Sequence, residues 1–226
     1  MPLRSIVSEK GTWQCVVSSY LQKHLGSLVE DDPFMVRSSS YVVQQLDVLP
    51  SLEYMGFSID IEDLYYSVPH HGLLSAVRDK IITTGEVQFQ NAAGISSDSF
   101  VALLEFYLGS TAISFEGSFF VQKKGVCIGS SVAPVLCDIF LSAVGNQIKV
   151  QLRDPRVVSI FRYVDDFLVI MKNVHESDVA SAAGSVLSVF TSNSQGLKFT
   201  WELPVNRELQ FLDVRLVFME DHLCWA

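Results

Sequence analysis

The chain has 226 residues, of which 49% are hydrophobic and 18% are charged. This composition excludes wholesale disorder, and the length suits one large or two small domains with a substantial core. The longest nearly apolar stretch, residues 132–144, contains Asp138 and is too short to cross a membrane, which takes roughly 20 residues. The formal net charge of −9 argues against a free-standing nucleic-acid-binding module, because affinity for phosphates comes largely from clustered Lys and Arg.

The cysteines and histidines show neither a disulfide framework nor a zinc site. No C-x-x-C pair and no His at ligand spacing occurs, so we expect buried thiols in a reducing compartment. The five histidines are expected at the surface or at helix caps. No basic segment followed by an apolar block opens the chain, so we expect no secretion signal and an intracellular location, nuclear or cytoplasmic. The cysteines are Cys15, Cys127, Cys137 and Cys224.

Apolar periodicity predicts mostly helices in the first half of the chain. The first helix is predicted at residues 14–30. A short apolar run at residues 57–61 predicts a buried strand. Amphipathic helices are predicted at residues 70–83 and 97–108, the second with a cap at Ser96.

In the second half, predicted strands alternate with predicted helices. Residues 112–121 alternate around a glycine turn, which indicates a β-hairpin, and a helix is predicted at residues 130–152. Strands at residues 157–163 and 167–171 form a second predicted hairpin. No repeat or long linker appears, so the pattern predicts one continuous α+β domain with a sheet backed by helices. The remaining predictions are a helix at residues 177–190 and strands at residues 197–203 and 209–218.

Acidic residues stand where apolar strands end. Asp165 and Asp166 lie between the strands of the second predicted hairpin, and Asp60 ends the run at residues 57–61. Burying two adjacent acids is costly, so we expect them at an exposed hairpin tip. If the strand ends lie side by side, Asp60 and Asp165 could bind a pair of divalent cations through oxygen ligands. Two such cations, about 3.5–4 Å apart, support phosphoryl transfer. The alternative is a solvated Asp-Asp turn.

Several motifs resemble those of reverse transcriptases and occur in the order found in that family. Y-V-D-D at residues 163–166 resembles the Y-x-D-D box. D-I-E-D-L-Y-Y-S-V-P-H at residues 60–70 resembles the first acidic motif as Penelope-like elements have it. G-V-C-I-G-S-S-V-A-P at residues 125–134 resembles the Gly-x-Pro-x-Gly-Ser motif that handles template and nucleotide. Further segments that resemble the family are residues 3–8, 199–202 and 209–214.

The resemblance implies a polymerase palm-type antiparallel sheet backed by helices, with partial fingers. Residues 1–226 would form one reverse transcriptase domain. Residues 1–56 would be partial fingers and connection, and residues 57–226 mainly palm with a fingers insertion and no thumb. The basic elements of such an enzyme would then lie outside this chain, so we expect the chain alone to bind template weakly.

The resemblance also implies the catalytic residues and the metal cofactor. Asp60, Asp165 and Asp166 would be the catalytic carboxylates. Asp60, Asp165 and the main-chain carbonyl of Ile61 would hold two Mg²⁺ ions, with Mn²⁺ as an alternative. Tyr65 would be the aromatic gate that excludes a ribose 2′-hydroxyl by steric clash, although the adjacent tyrosine could serve instead.

Four further residues would contact nucleotide or template. Arg4 would contact the triphosphate, and Lys198 would help pyrophosphate leave. Gly129, with Ser130 beside it, would let template and nucleotide approach the main chain. The implied partners are deoxynucleoside triphosphates, an RNA or DNA template with a primer, and the remainder of a longer polyprotein with fingers, thumb and in some versions a nuclease. No membrane is implied.

Some positions depart from the family pattern. Cys127 replaces an expected proline, and Ala133 replaces an expected serine. Every carboxylate that the resemblance assigns to metal binding is present. These departures suggest a diverged copy with an altered grip on the template. The expected activity is RNA-directed DNA synthesis by a retroelement enzyme. The alternatives are a decayed or domesticated remnant that serves as a folded interaction module, and another two-metal enzyme such as a nucleotide cyclase.

Overall fold

The computed structural model of the protein describes residues 7–29 and 32–226. The chain divides into two compact units. The first unit comprises the residues up to Asp32 together with Asp63–Val144, and the second comprises Pro33–Glu62 together with Gly145–Ala226. Within the described ranges, no helix has both the length and the apolar character needed to cross a membrane.

The described part of the chain contains both helices and strands, and its last four elements are strands. The helices are α1 (Trp13–Leu25), α2 (Ser39–Asp47), α3 (Leu64–Ser67), α4 (His70–Ala93), α5 (Ser97–Leu108), α6 (Ala133–Gln151) and α7 (Val179–Asn193). The strands are β1 (Tyr54–Ile61), β2 (Ala112–Phe115), β3 (Ser118–Val121), β4 (Val157–Tyr163), β5 (Asp166–Lys172), β6 (Phe199–Glu202), β7 (Glu208–Phe211), β8 (Val214–Phe218) and β9 (Leu223–Trp225).

The first unit is mainly helical. Phe89 of α4 and Phe100 of α5 pack edge to face with ring centroids 4.9 Å apart, and the Tyr20 hydroxyl of α1 donates a 2.8 Å hydrogen bond to the Ala93 carbonyl. These contacts join α1, α4 and α5 around an aromatic core. Helix α4 bends at Gly85, whose φ of 125° and ψ of 93° are not helical.

The second unit contains the four-stranded sheet. Its order is β4-β5-β1-β6, and each neighbouring pair is antiparallel. Phe190 of α7 packs against Phe167 and Phe199 at centroid distances of 5.2 and 5.7 Å. Successive residues of a strand point to opposite faces. The phenylalanine face is therefore covered by α7, and the alternate residues occupy the other face. Strands β7, β8 and β9 form a separate three-stranded sheet.

The α+β prediction and the antiparallel sheet are confirmed, and the helix predicted at residues 97–108 matches α5. The single strand predicted at residues 209–218 is wrong, because the chain turns at Leu212 with φ of 54° and separates β7 from β8. Helices α2 and α3 and strand β9 were not predicted. Each is short, and so little periodic signal marks it in the sequence.

The expectations for cysteine and histidine burial are only partly confirmed. Cys127 and Cys137 are buried, but Cys15 is exposed and Cys224 is partly exposed. His24 is buried beside Tyr20, with ring centroids 4.7 Å apart, rather than at the surface. Burial and the adjacent Lys23 lower the pKa of His24.

Candidate active site

The three predicted catalytic carboxylates lie at neighbouring strand ends of the second unit. Asp60 near the end of β1 stands opposite Asp166 at the start of β5 in the antiparallel register. Asp165 precedes β5, and its main-chain carbonyl accepts a 3.3 Å hydrogen bond from the Ile61 N–H. All three aspartates are partly buried. The tertiary structure therefore brings together acids that are about a hundred positions apart in the sequence.

A strained turn holds Asp165 at the tip of the β4–β5 hairpin. Tyr163 pairs with Asp166, which leaves Val164 and Asp165 as a two-residue loop. Val164 has φ of 55°, a left-handed conformation that β-branched residues rarely adopt. Such backbone strain costs on the order of 1–3 kcal/mol and concentrates at functional sites. Local propensity alone would not select this turn, so the surrounding structure must stabilise it.

Arg162 supplies part of that stabilisation. Its side chain is 1% exposed, and its guanidinium donates a 2.7 Å hydrogen bond to the Val164 carbonyl. Its main-chain N–H donates to the Phe34 carbonyl at 2.6 Å, and its own carbonyl accepts from the Val36 N–H at 2.8 Å. Arg162 was not assigned a role in the sequence. The available signal in the sequence was an arginine within an apolar strand, two residues before the hairpin loop begins.

The local electrostatics favour protonation of Asp166. Burial raises its pKa to about 6, and the negative charges of Asp165, Asp60 and Glu202 contribute in that order. Glu202 stands opposite Ser58 in the β1–β6 register, on the same face as Asp60. The site thus concentrates negative charge, and carboxylate oxygens are the ligands that hard divalent cations prefer.

The carboxylates do not form a ready-made metal cage. Among the described residues, no three His, Cys, Asp or Glu side chains lie close enough together to hold a metal ion. Like charges repel at short range, so the orientation of these side chains is sensitive to a cation between them. The donor chemistry fits a divalent cation, and the predicted ligand set of Asp60, Asp165 and the Ile61 carbonyl stays a prediction.

A cavity of about 280 Å³ opens beside the acids in the second unit. Asp60 and Asp166 line it, together with Thr200 and Glu202 of β6 and with Leu212 at the β7–β8 turn. The sequence motifs at residues 199–202 and 209–214 therefore contribute to one wall. The sequence pointed to these segments by resemblance. Pairing of β6 with β1 places residues 199–202 beside Asp60, and residues 210–212 reach the cavity from the separate β7-β8-β9 sheet.

The predicted nucleotide and template residues Tyr65, Gly129 and Ser130 belong to the first unit. Tyr65 is partly buried in α3, and Gly129 has a left-handed φ of 102°. Ser130 is 6% exposed, and its hydroxyl accepts a 3.2 Å hydrogen bond from the Ala133 N–H at the start of α6. That contact gives Ser130 a helix-capping role in the fold.

The other two predicted nucleotide contacts are Lys198 and Arg4. Lys198 has an exposed side chain, and its carbonyl accepts a 2.9 Å hydrogen bond from the Glu62 N–H. Arg4 lies outside the described residues. His70, expected at the surface or at a cap, is partly buried and lies 2.7 Å from the Gly125 carbonyl through Nε2.

Residues 12–202 match the protein family described as reverse transcriptase (RNA-dependent DNA polymerase). No curated protein sequence matches the chain. Among solved structures, apo telomerase from Candida tropicalis, truncated from its C-terminal domain, is similar to this chain, with a TM-score of 0.64 and 17% identity. The match covers 96% of this chain and 46% of that chain.

Two further similar structures contain other polymerase proteins. Telomerase from Candida albicans in complex with a TWJ fragment of telomeric RNA has a TM-score of 0.63 and 14% identity, covering 93% of this chain and 38% of that chain. The BmCPV RNA-dependent RNA polymerase at elongation state has a TM-score of 0.61 and 15% identity, covering 96% of this chain and 20% of that chain. At these identities the likeness establishes a shared fold. The chain spans less than half the length of each of these structures.

Proposed function

The chain belongs to the reverse transcriptase family, and from this premise we propose that it adds deoxynucleotides to a primer 3′-hydroxyl under the direction of an RNA template. The observation that carries the proposal is the register that sets Asp60 opposite Asp166, with Asp165 in the adjoining loop. Three acids at adjoining strand ends suit phosphoryl transfer, which depends on positioning and electrostatic stabilisation rather than on covalent chemistry by the protein.

The carboxylates would bind divalent cations. Asp60, Asp165 and the Ile61 main-chain carbonyl would hold two Mg²⁺ ions, for which Mn²⁺ could substitute. When bound, such ions activate an attacking hydroxyl and stabilise a leaving pyrophosphate. Asp166 would act as the third carboxylate, and its raised pKa of about 6 reflects burial and negative neighbours that a cation would offset.

The remaining site residues would bind and orient the substrates. Tyr65 would contact the sugar of the incoming nucleotide and exclude a 2′-hydroxyl, because an aromatic ring leaves no room for the extra oxygen. Gly129 and Ser130 would present main chain to template and nucleotide. Arg4 and Lys198 would contact the phosphates. The cavity beside Asp60 and Asp166 is large enough to receive part of a nucleotide from the primer end.

We further propose that the chain is the catalytic part of a longer retroelement protein of Penelope-like style. Residues 1–56 would be partial fingers and connection, and residues 57–226 would be mainly palm. Additional fingers, thumb and in some versions nuclease segments of the polyprotein would supply the basic surface that a chain of net charge −9 needs in order to hold template tightly.

A primer-extension assay tests the proposal. We expect the wild-type chain to extend a DNA primer on an RNA template with Mg²⁺ or Mn²⁺, and Asp60→Asn and Asp165→Asn to abolish extension while the circular dichroism spectrum is retained. Asp79→Asn is the matched control, because Asp79 is exposed on α4 in the first unit. Extension at the wild-type rate by either site variant would refute the assignment. A folded wild-type chain that extends no primer on any template would favour the decayed-remnant alternative.

A further inference from the structure

The main chain at Gly125 and Val126 is hydrogen-bonded to residues 65–70, the segment that follows β1. The Gly125 N–H donates a 2.8 Å hydrogen bond to the Val68 carbonyl, and the Val126 N–H donates one of 2.6 Å to the Tyr65 carbonyl. The Gly125 carbonyl lies 2.7 Å from Nε2 of His70. These three bonds connect the main chain around Tyr65 to the loop at residues 125–129.

The loop at Gly125 and the segment at Tyr65 and Tyr66 contact each other through main-chain atoms. Gly125 has φ of 77°, and a Cβ added to it would overlap the Tyr65 carbonyl oxygen and lie 2.7 Å from the Tyr66 Cα. Real Cβ atoms do not come this close to backbone, so only glycine fits. Small movements of the loop would therefore pass directly to the backbone that carries the Tyr65 side chain.

His70 is placed to control that contact. It is the first residue of α4, and its ring is partly buried, whereas the adjacent His71 is exposed. A main-chain carbonyl can only accept a hydrogen bond, so Nε2 of His70 must carry the proton and donate it. With the Gly125 carbonyl bonded to His70 and the Val126 N–H bonded to the Tyr65 carbonyl, the peptide plane between Gly125 and Val126 has a fixed orientation.

We propose that His70 is a positioning residue for nucleotide selection, acting through the Gly125 carbonyl on the backbone of Tyr65. The inference rests on the proposed function, in which Tyr65 excludes ribonucleotides by steric clash. Steric exclusion depends on where the ring stands to within a fraction of an ångström. Loss of the imidazole bond would let the loop and the Tyr65 backbone move apart, while the pairing of β1 with β5 would still hold Asp60 opposite Asp166.

Single-nucleotide insertion with dTTP and UTP tests the inference, comparing the wild type with His70→Leu, His70→Gln and His71→Leu. We expect His70→Leu to lower the ratio of kcat/KM for dTTP over UTP by about tenfold, within what a sub-ångström misplacement costs. Its KM for dTTP should rise more than its kcat falls. His70→Gln keeps an N–H donor of similar reach and should restore most of the ratio. The matched control His71→Leu should leave the ratio unchanged.

Amide hydrogen exchange gives a second readout that does not depend on activity. His70→Leu should speed exchange at Gly125 and Val126, and His71→Leu should not. If the wild type extends primers and a folded His70→Leu keeps the wild-type ratio, the inference fails and the proposed function stands. A wild-type chain that extends no primer overturns both. Unchanged exchange in His70→Leu overturns the positioning role in either case.

Discussion

The main-chain carbonyl of Val164 accepts a 2.7 Å hydrogen bond from the buried guanidinium of Arg162. This bond stabilises a loop that local preferences disfavour, because Val164 has φ of 55°. The same loop presents Asp165 to the strand end that carries Asp60. An arginine that is almost wholly inside the protein thus contributes to the geometry of the acidic hairpin tip.

Substitution of Arg162 should therefore affect both stability and activity. Removing the donor in Arg162→Met leaves a carbonyl partner unsatisfied, and we expect the free energy of unfolding to fall by about 1–3 kcal/mol. Primer extension should fall as well. Arg162→Lys keeps the charge but lacks the planar fork, so it should show an intermediate loss. Urea denaturation and primer extension measure the two effects.

The control for Arg162 is Arg156→Met. Arg156 forms an ion pair with Asp154 at 2.7 Å, and its side chain is 40% exposed. Pairs of this kind contribute less than about 1 kcal/mol. Equal losses of stability in Arg162→Met and Arg156→Met would contradict the special role of the buried guanidinium.

Asp166 should make the stability of the protein fall as the pH rises from about 4 to about 6. Its pKa is raised from 3.8 to about 6 in the folded chain, so the folded state binds more protons than the unfolded state within that interval. Asp166→Asn removes this penalty. After a discount for solvent screening, we expect it to stabilise the protein at pH 8 by on the order of 1 kcal/mol, and by less at pH 4.

Urea denaturation at pH 4 and pH 8, in buffer with a chelator to remove divalent cations, measures this dependence. Added Mg²⁺ should diminish the advantage of Asp166→Asn at pH 8, because a bound cation offsets the repulsion among the wild-type carboxylates. A difference between variant and wild type that is the same at both pH values would refute the explanation.

Gly125→Ala should be far more damaging than the same change at another left-handed glycine. Gly11 has φ of 79°, close to the 77° of Gly125, but nothing lies within 4 Å of a Cβ added there. Both variants bear the left-handed penalty of about 1–2 kcal/mol. Only Gly125→Ala also drives a methyl group into the Tyr65 carbonyl. Thermal unfolding should show a clearly larger loss for Gly125→Ala, and similar losses would contradict the steric explanation.

Tyr65→Ala should relax the exclusion of ribonucleotides. The sequence leaves open whether Tyr65 or the adjacent Tyr66 serves as the gate, and both side chains are partly buried in α3. We expect Tyr65→Ala to raise kcat/KM for UTP relative to dTTP, because the ring that blocks the 2′-hydroxyl is gone. Tyr66→Ala is the matched control and should keep the wild-type ratio. The reverse pattern would transfer the role to Tyr66.

Long-range pairing explains why parts of the fold could not be predicted. Strand β1 pairs with β5 and with β6, which follow it by more than a hundred residues, and local periodicity carries no information about such partners. The segment at residues 209–218 alternates on both sides of Leu212, but the phase shifts by one residue there, and the division into β7 and β8 was missed. A left-handed leucine is not a turn signal in the sequence.

The sequence by itself determined which residues carry the negative charge and where they stand on their strands. Asp60 and the pair of Asp165 and Asp166 interrupt apolar runs, and because buried charges are costly, strand ends were the places available to them. Only the tertiary structure decided that Asp60 faces Asp166, that Arg162 supports the Val164 carbonyl and that His70 reaches Gly125. In each of these relationships the groups are close in space. Their geometry depends on strand register, chain turns and burial, and local sequence patterns specify none of the three.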